Sequence, residues 1–543
     1  MTHTEWWRGA VIYQIYPRSY CDSSGDGVGD LRGVVQKLPY IADLGVDAIW
    51  ICPFYPSPMK DFGYDVSDYY GVDPIFGSLD DFKALLDAAH ARNIKVIVDQ
   101  VWSHTADQHP WFEESRKNKT NPKADWYVWA DPKPDGTPPN NWLSHFGGSA
   151  WEWEAQRQQY YLHQYLVSQP ALNLHNPEVR QAIYQVARFW LDMGVDGFRL
   201  DAVHSYMADP LLRDNPARTA ADGLPSDVAL SSPLARQLRL YNCSRPETVE
   251  FIEEIRTWLD AYEGRVLLAE AGGEDSEALA AEYVKTGRRF HLAYAFSLLT
   301  PDYKPVTPDL IRDVITRIEK QIGDGWICWA IGNHDVPRVA SRWAHEQPSL
   351  HNFRKMVLAL GLSLRGSFCL YYGDELGLTE ADVPFEKLQD PWGKALWPVF
   401  KGRDGCRTPM PWSKNERNAG FSTAVETWLP LDSNHYAAAV DQQVGPDSLL
   451  HHAKALIQWR SANEVMRRGA IEIVSEQQAI VSIKRRSKIA GNTEEILCHF
   501  NFSSSQNTID LADTMIIVFA SGAAIQHKCL YLEPYGYAFL ATP

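Results

Sequence analysis

A helix and strand unit recurs along this chain, and its recurrence restricts the possible folds more than any other feature. Leu31, Val34, Val35, Leu38, Ile41 and Ala42 fall at the spacing of one helix face, Gly45 can take the left-handed position that ends it, and residues 48–52 read as a buried strand. Phe82, Leu85, Leu86 and Ala89 repeat the face, Asn93 can cap it, and residues 94–98 are the strand. Val179, Ile183, Val186, Ala187, Trp190 and Leu191 form a third copy, stopped at Gly194 before Gly197–Leu200. Two of the junctions echo each other, Leu44-Gly45-Val46-Asp47 and Met193-Gly194-Val195-Asp196. Five further apolar runs, 11–16, 266–269, 291–296, 328–331 and 368–372, are each separated by enough chain for a crossover helix. Eight parallel strands alternating with helices predict an α/β fold, a (β/α)8 TIM barrel rather than an open sheet.

The intervals between strands are unequal, which locates the additions. Residues 1–103 read as the first part of the barrel, domain A. After the third strand, residues 104–171 are rich in Trp, Pro and Asn and too long for an ordinary loop, so they are read as an inserted subdomain B on the catalytic rim. Residues 172–468 complete the barrel, with an irregular insertion at about 375–431 and a helix from Leu449 to Trp459. Short alternating runs at 471–474, 479–483 and 537–540 make residues 469–543 a C-terminal antiparallel β-sandwich, domain C.

Composition excludes several classes of function. The chain has 543 residues with 52 Lys and Arg against 68 Asp and Glu, a net charge of −16 that repels a phosphate backbone and argues against nucleic acid as partner. No run approaches the ~18 apolar residues of a membrane span, and the N-terminus lacks a signal-peptide pattern. The eight cysteines are scattered without a C-x-x-C pair, which reads as reduced thiols in a cytoplasmic protein. No Gly-rich phosphate loop follows a strand, so no nucleotide or other organic cofactor is expected. Aromatic residues are 12% of the chain; most are core, and some suit the flat faces of pyranose rings.

Functional side chains of such a barrel cluster where strands end. In Gly197-Phe198-Arg199-Leu200-Asp201-Ala202-Val203-His204, alternation puts Arg199 and Asp201 on one face, and a guanidinium beside a carboxylate keeps it ionised, as a nucleophile requires. The fifth strand ends in one carboxylate, Glu270, after an apolar run that can raise its pKa toward that of a general acid. The seventh ends in Asn333-His334-Asp335, and the third in Asp99-Gln100-Val101-Trp102-Ser103-His104. Separately, Asp22-Ser23-Ser24-Gly25-Asp26-Gly27-Val28-Gly29-Asp30 sets oxygen side chains at alternate positions, as the start of a calcium loop does.

Together with Trp7-Arg8-Gly9-Ala10-Val11-Ile12-Tyr13-Gln14-Ile15-Tyr16-Pro17-Arg18-Ser19 and Gly402-Arg403-Asp404-Gly405-Cys406-Arg407-Thr408-Pro409-Met410-Pro411-Trp412, these motifs resemble glycoside hydrolase family 13, the α-amylase superfamily, and within it the α-glucosidase and oligo-1,6-glucosidase group. The resemblance covers almost the whole chain. It implies an exo-acting retaining α-glucosidase in which Asp201 attacks the anomeric carbon, Glu270 protonates the leaving oxygen and Asp335 holds the distorted ring. It also implies that His104, His334 and Arg199 hydrogen-bond the innermost glucose, that Asp61 and Arg403 grip its far hydroxyls and that Tyr64 stacks on it. Gln169, in Gln169-Pro170-Ala171-Leu172-Asn173, is expected at the substrate entrance, with Ala171 where relatives usually have Asp. A structural Ca2+ or Mg2+ is implied at Asp22, Ser24, Asp26, Asp30 and the Val28 carbonyl, with Ser24 where relatives often have Asn. Ala202 after the nucleophile favours maltose-type α-1,4 or sucrose-type bonds, since relatives preferring α-1,6 bonds tend to have Val there. The partners expected are small α-glucosides and alcohol or sugar acceptors, on a monomer or homodimer. The rivals are an α-1,6-specific or sucrose-specific hydrolase, and an inactive barrel serving as a binding subunit, a class that usually has a membrane segment and broken carboxylate motifs.

Overall fold

Strands covered on both faces read as unbroken apolar runs, and eight such runs form one parallel sheet. In the computed structural model, which describes all residues except 1–4, 224, 226, 229–231, 300–304, 344–349, 475–476, 490 and 512–513, these strands are β1 (Val11–Ile15), β2 (Ala48–Ile51), β3 (Lys95–Gln100), β4 (Gly197–Leu200), β5 (Val266–Ala271), β6 (Leu292–Ala295), β7 (Cys328–Ala330) and β8 (Ser367–Tyr371). They hydrogen-bond in the order β7-β8-β1-β2-β3-β4-β5-β6. Among the described residues a single parallel bridge, from Ala293 to Ile327, joins the two ends, so the sheet closes into the expected barrel.

The helices between them are α1 (Leu31–Leu44), α2 (Leu79–His90), α3 (Pro177–Met193), α4 (Pro246–Leu259), α5 (Ser276–Val284), α6 (Pro308–Ile322), α7 (Leu350–Ser363) and α8 (Leu449–Ala462). Their ends show why the sequence folds this way. Asp30 caps α1 by accepting from the Gly33 amide, and Gly45 ends it at φ 86°. Asn176 caps α3, and Gly194 ends it at φ 107°. Asn93 ends α2 as the sequence reading expects: it takes φ 59°, its amide donates to the His90 carbonyl at 2.9 Å and the Ile94 amide donates to that of Ala89 at 3.0 Å, the paired bonds of a left-handed helix cap.

Between β3 and α3 the chain forms a three-stranded antiparallel sheet, with Gln159–Leu162 between Trp129–Ala130 and Trp151–Glu154. A small core of its own contains Trp142, Trp151 and Leu162, and a bridge from His104 to Ala171 ties its return to the end of β3. The tail contributes β9 (Ala470–Ile473), β10 (Ile480–Ile489), β11 (Asn492–Asn501), β12 (Asn507–Asp510), β13 (Ile516–Gln526) and β14 (Cys529–Ala541). They form one antiparallel network in which long β14 pairs with β13 along one edge and with β11 and β12 along the other. Val481, Ile483, Phe500, Tyr537 and Phe539 join the barrel's core, whereas Ile480, Leu530, Leu532 and Leu540 form a separate cluster.

Candidate active site

Parallel strands in register deliver their last side chains to one end of the barrel, and here they converge on a single cation. Arg199 pairs in register with Asp99 of β3 and is fully buried. Its Nη1 donates to Asp99 Oδ1 at 2.9 Å and to Asp201 Oδ1 at 2.7 Å. Its Nη2 donates to the Tyr294 hydroxyl at 2.7 Å and meets Glu270 Oε2 at 2.7 Å. Glu270 Oε2 also accepts from the Ala202 amide at 2.7 Å, directly after Asp201. Ala202 holds this position in left-handed backbone, φ 45°, a conformation that costs a residue with a Cβ and recurs at functional sites.

One guanidinium thus faces three carboxylates. Burial pushes Glu270 up to about 8, with Asp201 and Asp335 adding to the rise and Arg199 opposing it. Burial likewise raises Asp201 to about 7 against Arg199, and Asp99 to about 6. The sequence suggested that Arg199 alone would lower Asp201; desolvation and the neighbouring carboxylates outweigh it, so the protons are shared, with Glu270 holding its own most firmly.

A second cluster surrounds Asp335. Gln14 Nε2 donates to His334 Nδ1 at 2.8 Å, which leaves the ring proton on Nε2, 3.2 Å from Asp335 Oδ2. Arg403 Nη1 and Arg407 Nη2 reach Asp335 Oδ1 at 3.2 and 3.0 Å. Burial alone would raise Asp335, but His334 and the two guanidinium groups hold it well below the usual carboxylate range. Burial keeps His334 neutral, its pKa pushed down to about 3. Arg403 Nη2 also grips Asp61 at 2.7 Å and Asp390 at 2.8 Å.

Asp61, Tyr64, His104, Asp201, Glu270, His334, Asp335 and Arg403 all line one cleft of about 750 Å³ that opens to solvent. Arg199 lies beneath it. Tyr64 has one face stacked on His334, centroids 5.1 Å apart at 8°, and its hydroxyl on Asp99 at 3.0 Å. Gln169 is a correction to the sequence reading: it is fully buried and does not border the entrance. Its amide spans Asp61 Oδ2 at 3.0 Å and His104 Nε2 at 3.2 Å, so it braces two cleft residues from behind.

The cleft also contains residues that sequence reasoning missed. Phe146, Tyr165, Phe296 and Trp392 make its outer wall apolar, and Asp227 enters it from the loop after β4, held by Arg239. Asp390, fully buried, anchors Arg403 through its amide and side chain. Arg407 stands in the 402–412 motif four residues after Arg403, which is the one signal the sequence offers for it. No local pattern marks Asp227 or Asp390.

The 22–30 loop is a separate feature. Asp22 accepts from the amides of Gly25, Gly27 and Ser24 at 2.7, 2.8 and 2.9 Å, from the Ser24 hydroxyl and from Ser422. Asp26 accepts from the Val28 amide at 2.9 Å, and Asp30 from Ser23 and Gly33. The donors are hard oxygens suited to Ca2+ or Mg2+. Their carboxylates, however, face the loop's own amides and hydroxyls, and no group of three or more His, Cys, Asp or Glu converges as metal ligands among the described residues.

Residues 14–469 match the family model for the α-amylase catalytic domain. The chain is 49% identical over 511 residues to a protein named probable α-glucosidase from Rhizobium meliloti strain 1021, covering 93% of this chain and 91% of that one. It is 36% identical over 543 residues to an oligo-1,6-glucosidase from Heyndrickxia coagulans, covering 94% of both. Among solved structures it resembles that of the α-glucosyl transfer enzyme XgtA, with a TM-score of 0.94 at 50% identity over 99% of each chain.

Proposed function

The chain belongs to the α-amylase family and is a glycoside hydrolase, and from that premise we propose an exo-acting, retaining α-glucosidase with transglucosylation. The observation that carries this reading is the Arg199 bridge, which holds Asp201 and Glu270 on one guanidinium while Glu270 also binds the amide after Asp201. Such sharing favours the roughly 5–5.5 Å separation of a retaining pair over the roughly 6.5–9.5 Å of an inverting one. With three carboxylates and one cation, the site retains protons at neutral pH, and Glu270, raised furthest to about 8, is the acid.

In this mechanism Asp201 attacks the anomeric carbon and forms a glucosyl ester as the C–O bond to the leaving group breaks. Glu270 gives its proton to the departing oxygen, then takes one from water or an alcohol that attacks the ester. Asp335, kept anionic by Arg403 and Arg407, and neutral His334, with its proton on Nε2, grip the donor glucose together with Asp61. Water regenerates Asp201 with release of α-glucose, and an alcohol gives a new α-glucoside. The apolar outer wall of Phe146, Phe296 and Trp392 supports acceptance of alcohols.

Ala202 supports maltose-type α-1,4 bonds as the preferred donor, with sucrose also accepted. Similarity to an oligo-1,6-glucosidase supports the α-1,6 alternative. A calcium or magnesium ion at Asp22, Ser24, Asp26, Val28 and Asp30 rests on family resemblance and donor chemistry, and takes no part in the reaction. A cytoplasmic location rests on the free state of all eight cysteines. No helix among the described residues is long and apolar enough to cross a membrane.

Proton NMR of maltose, sucrose and isomaltose incubated separately with the protein, in water and with added alcohol, tests the reading. First appearance of α-glucose or an α-glucoside, with Asp201→Asn inactive, supports it, and the fastest sugar fixes the linkage. First appearance of β-glucose overturns the nucleophile assignment, and absence of cleavage overturns the glucosidase reading.

A further inference from the structure

Asp61 and Tyr64 enter the cleft from a loop, 57–65, whose backbone is not at rest. Met59 and Phe62 both have positive φ, 59° and 49°, and Gly63 has φ 108° with the Pro53 carbonyl 2.9 Å from where a Cβ would stand. Non-glycine residues in the left-handed region store strain that surrounding structure must hold. From within, the Asp65 carboxylate accepts from the Ser57 hydroxyl at 2.8 Å and from the amides of Lys60 and Asp61 at 2.8 and 3.1 Å.

From outside, the loop rests on Arg18. This side chain is buried, 5% exposed, in the short helix Pro17–Tyr20 after β1. Among the described residues it makes no ion pair with a carboxylate, and its Nε has no hydrogen-bond partner. Its guanidinium carbon lies 5.3 Å from the Phe62 ring centroid, 5.5 Å from that of Phe76 and 5.1 Å from that of Trp428. Nη2 donates to Met59 Sδ at 3.1 Å. Both strained residues therefore touch one guanidinium. Trp428 closes the cage by packing on Phe62 at 5.5 Å and donating to the Ser19 hydroxyl at 3.0 Å. Burial lowers the Arg18 pKa, and with no carboxylate in direct contact its desolvation is offset only in part by the ring faces and by Asp73 and Asp65 acting at a distance. Its retention here is explained by what it holds.

We infer that Arg18 is a positioning residue for the donor-sugar site, a guanidinium caged by Phe62, Phe76 and Trp428 that pins the strained 57–65 loop and so presents Asp61 and Tyr64 to the sugar. The inference rests on the α-glucosidase reading of the cleft. Its consequence is a loss of ground-state grip on the donor, since Arg18 lies outside the Asp201, Glu270 and Arg199 cluster.

Steady-state kinetics on maltose with the wild-type chain, Arg18→Met and Arg18→Lys give the test, alongside melting temperatures. Arg18→Met raises KM about tenfold while kcat changes less than about threefold. Arg18→Lys, which keeps the charge but not the planar stacking group, falls between them. In an Asp61→Ala background the effect of Arg18→Met on KM shrinks to less than about twofold, because the grip it supports has gone. An unchanged KM in Arg18→Met, a fall in kcat at constant KM, or full additivity with Asp61→Ala overturns the inference. If Arg18→Met does not fold, Arg18→Lys decides, with a KM rise of at least about threefold required. A wild-type chain that cleaves none of the α-glucosides overturns the reading of the cleft instead.

Discussion

Glu270 has both a proton to give and a reason to keep it at neutral pH. Burial places its folded pKa at about 8, so the protonated acid is present below that value and lost as pH rises through it. With Asp201 at about 7 requiring its anion, kcat/KM is expected to be bell-shaped, with its maximum between these values; the limbs belong to the coupled pair rather than to either residue. Glu270→Gln lowers kcat/KM on maltose by about 10²–10⁴-fold. On an aryl α-glucoside whose leaving group needs no proton, the same variant regains much of glycosyl-enzyme formation and loses the alkaline limb, as stopped-flow release of the phenol across pH 6–10 can show. Glu270, Asp201 and Asp335 were legible as cleft carboxylates because each stands where a barrel strand ends. Asp99 was legible only as part of its strand-end motif and Tyr294 and Asp390 not at all, because their significance lies in one Arg shared across strands or in a loop that returns to the site from a distant part of the chain.

At the scale of elements, the 22–30 loop and α1 form one unit. Asp30 caps the helix at Gly33 and also binds the Ser23 amide and hydroxyl, each at 2.8 Å. Asp30→Ala therefore costs more than an isolated cap, at or above the upper part of the usual ~0.5–2 kcal/mol, measurable by urea denaturation with activity lost only through unfolding. A chelator tests the proposed ion separately: it lowers the melting temperature if the loop holds Ca2+ or Mg2+, and leaves it unchanged if the amide bonds alone shape the loop. Helix faces and glycine stops at Gly45 and Gly194 could be read because they depend on neighbours in sequence. Asn93 could be read as a cap for the same reason, since Asn is the residue after Gly that most readily takes the left-handed position ending a helix. Strands β11, β12 and β13 escaped notice because their faces are half exposed, which blurs the alternation on which a sequence reading depends.

For the whole molecule, the tail is bound to the barrel by a buried cation as well as by apolar contact. Arg485 of the tail, fully buried, donates to the Ser363 carbonyl at the end of α7 at 2.6 Å and to the Gly469 carbonyl at the start of the tail at 2.7 Å. Arg485→Ala orphans at least two carbonyls at roughly 1–3 kcal/mol each, and a chain ended at residue 468 exposes the core face that Val481, Phe500 and Phe539 cover. Neither is expected to accumulate at the wild-type soluble yield, as size-exclusion chromatography can show. The barrel itself is a hoop of unequal joints. Among the described residues, seven neighbouring strand pairs are laced by ladders, and the eighth, between β6 and β7, by the lone stitch from Ala293 to Ile327. Under thermal fluctuation the hoop is expected to gape there first, so deuterium enters the amides beside Ile327 before those of β2 and β3. The joint expected to open lies one strand away from Glu270 and just ahead of Asp335, so its breathing is felt at two of the cleft's carboxylates.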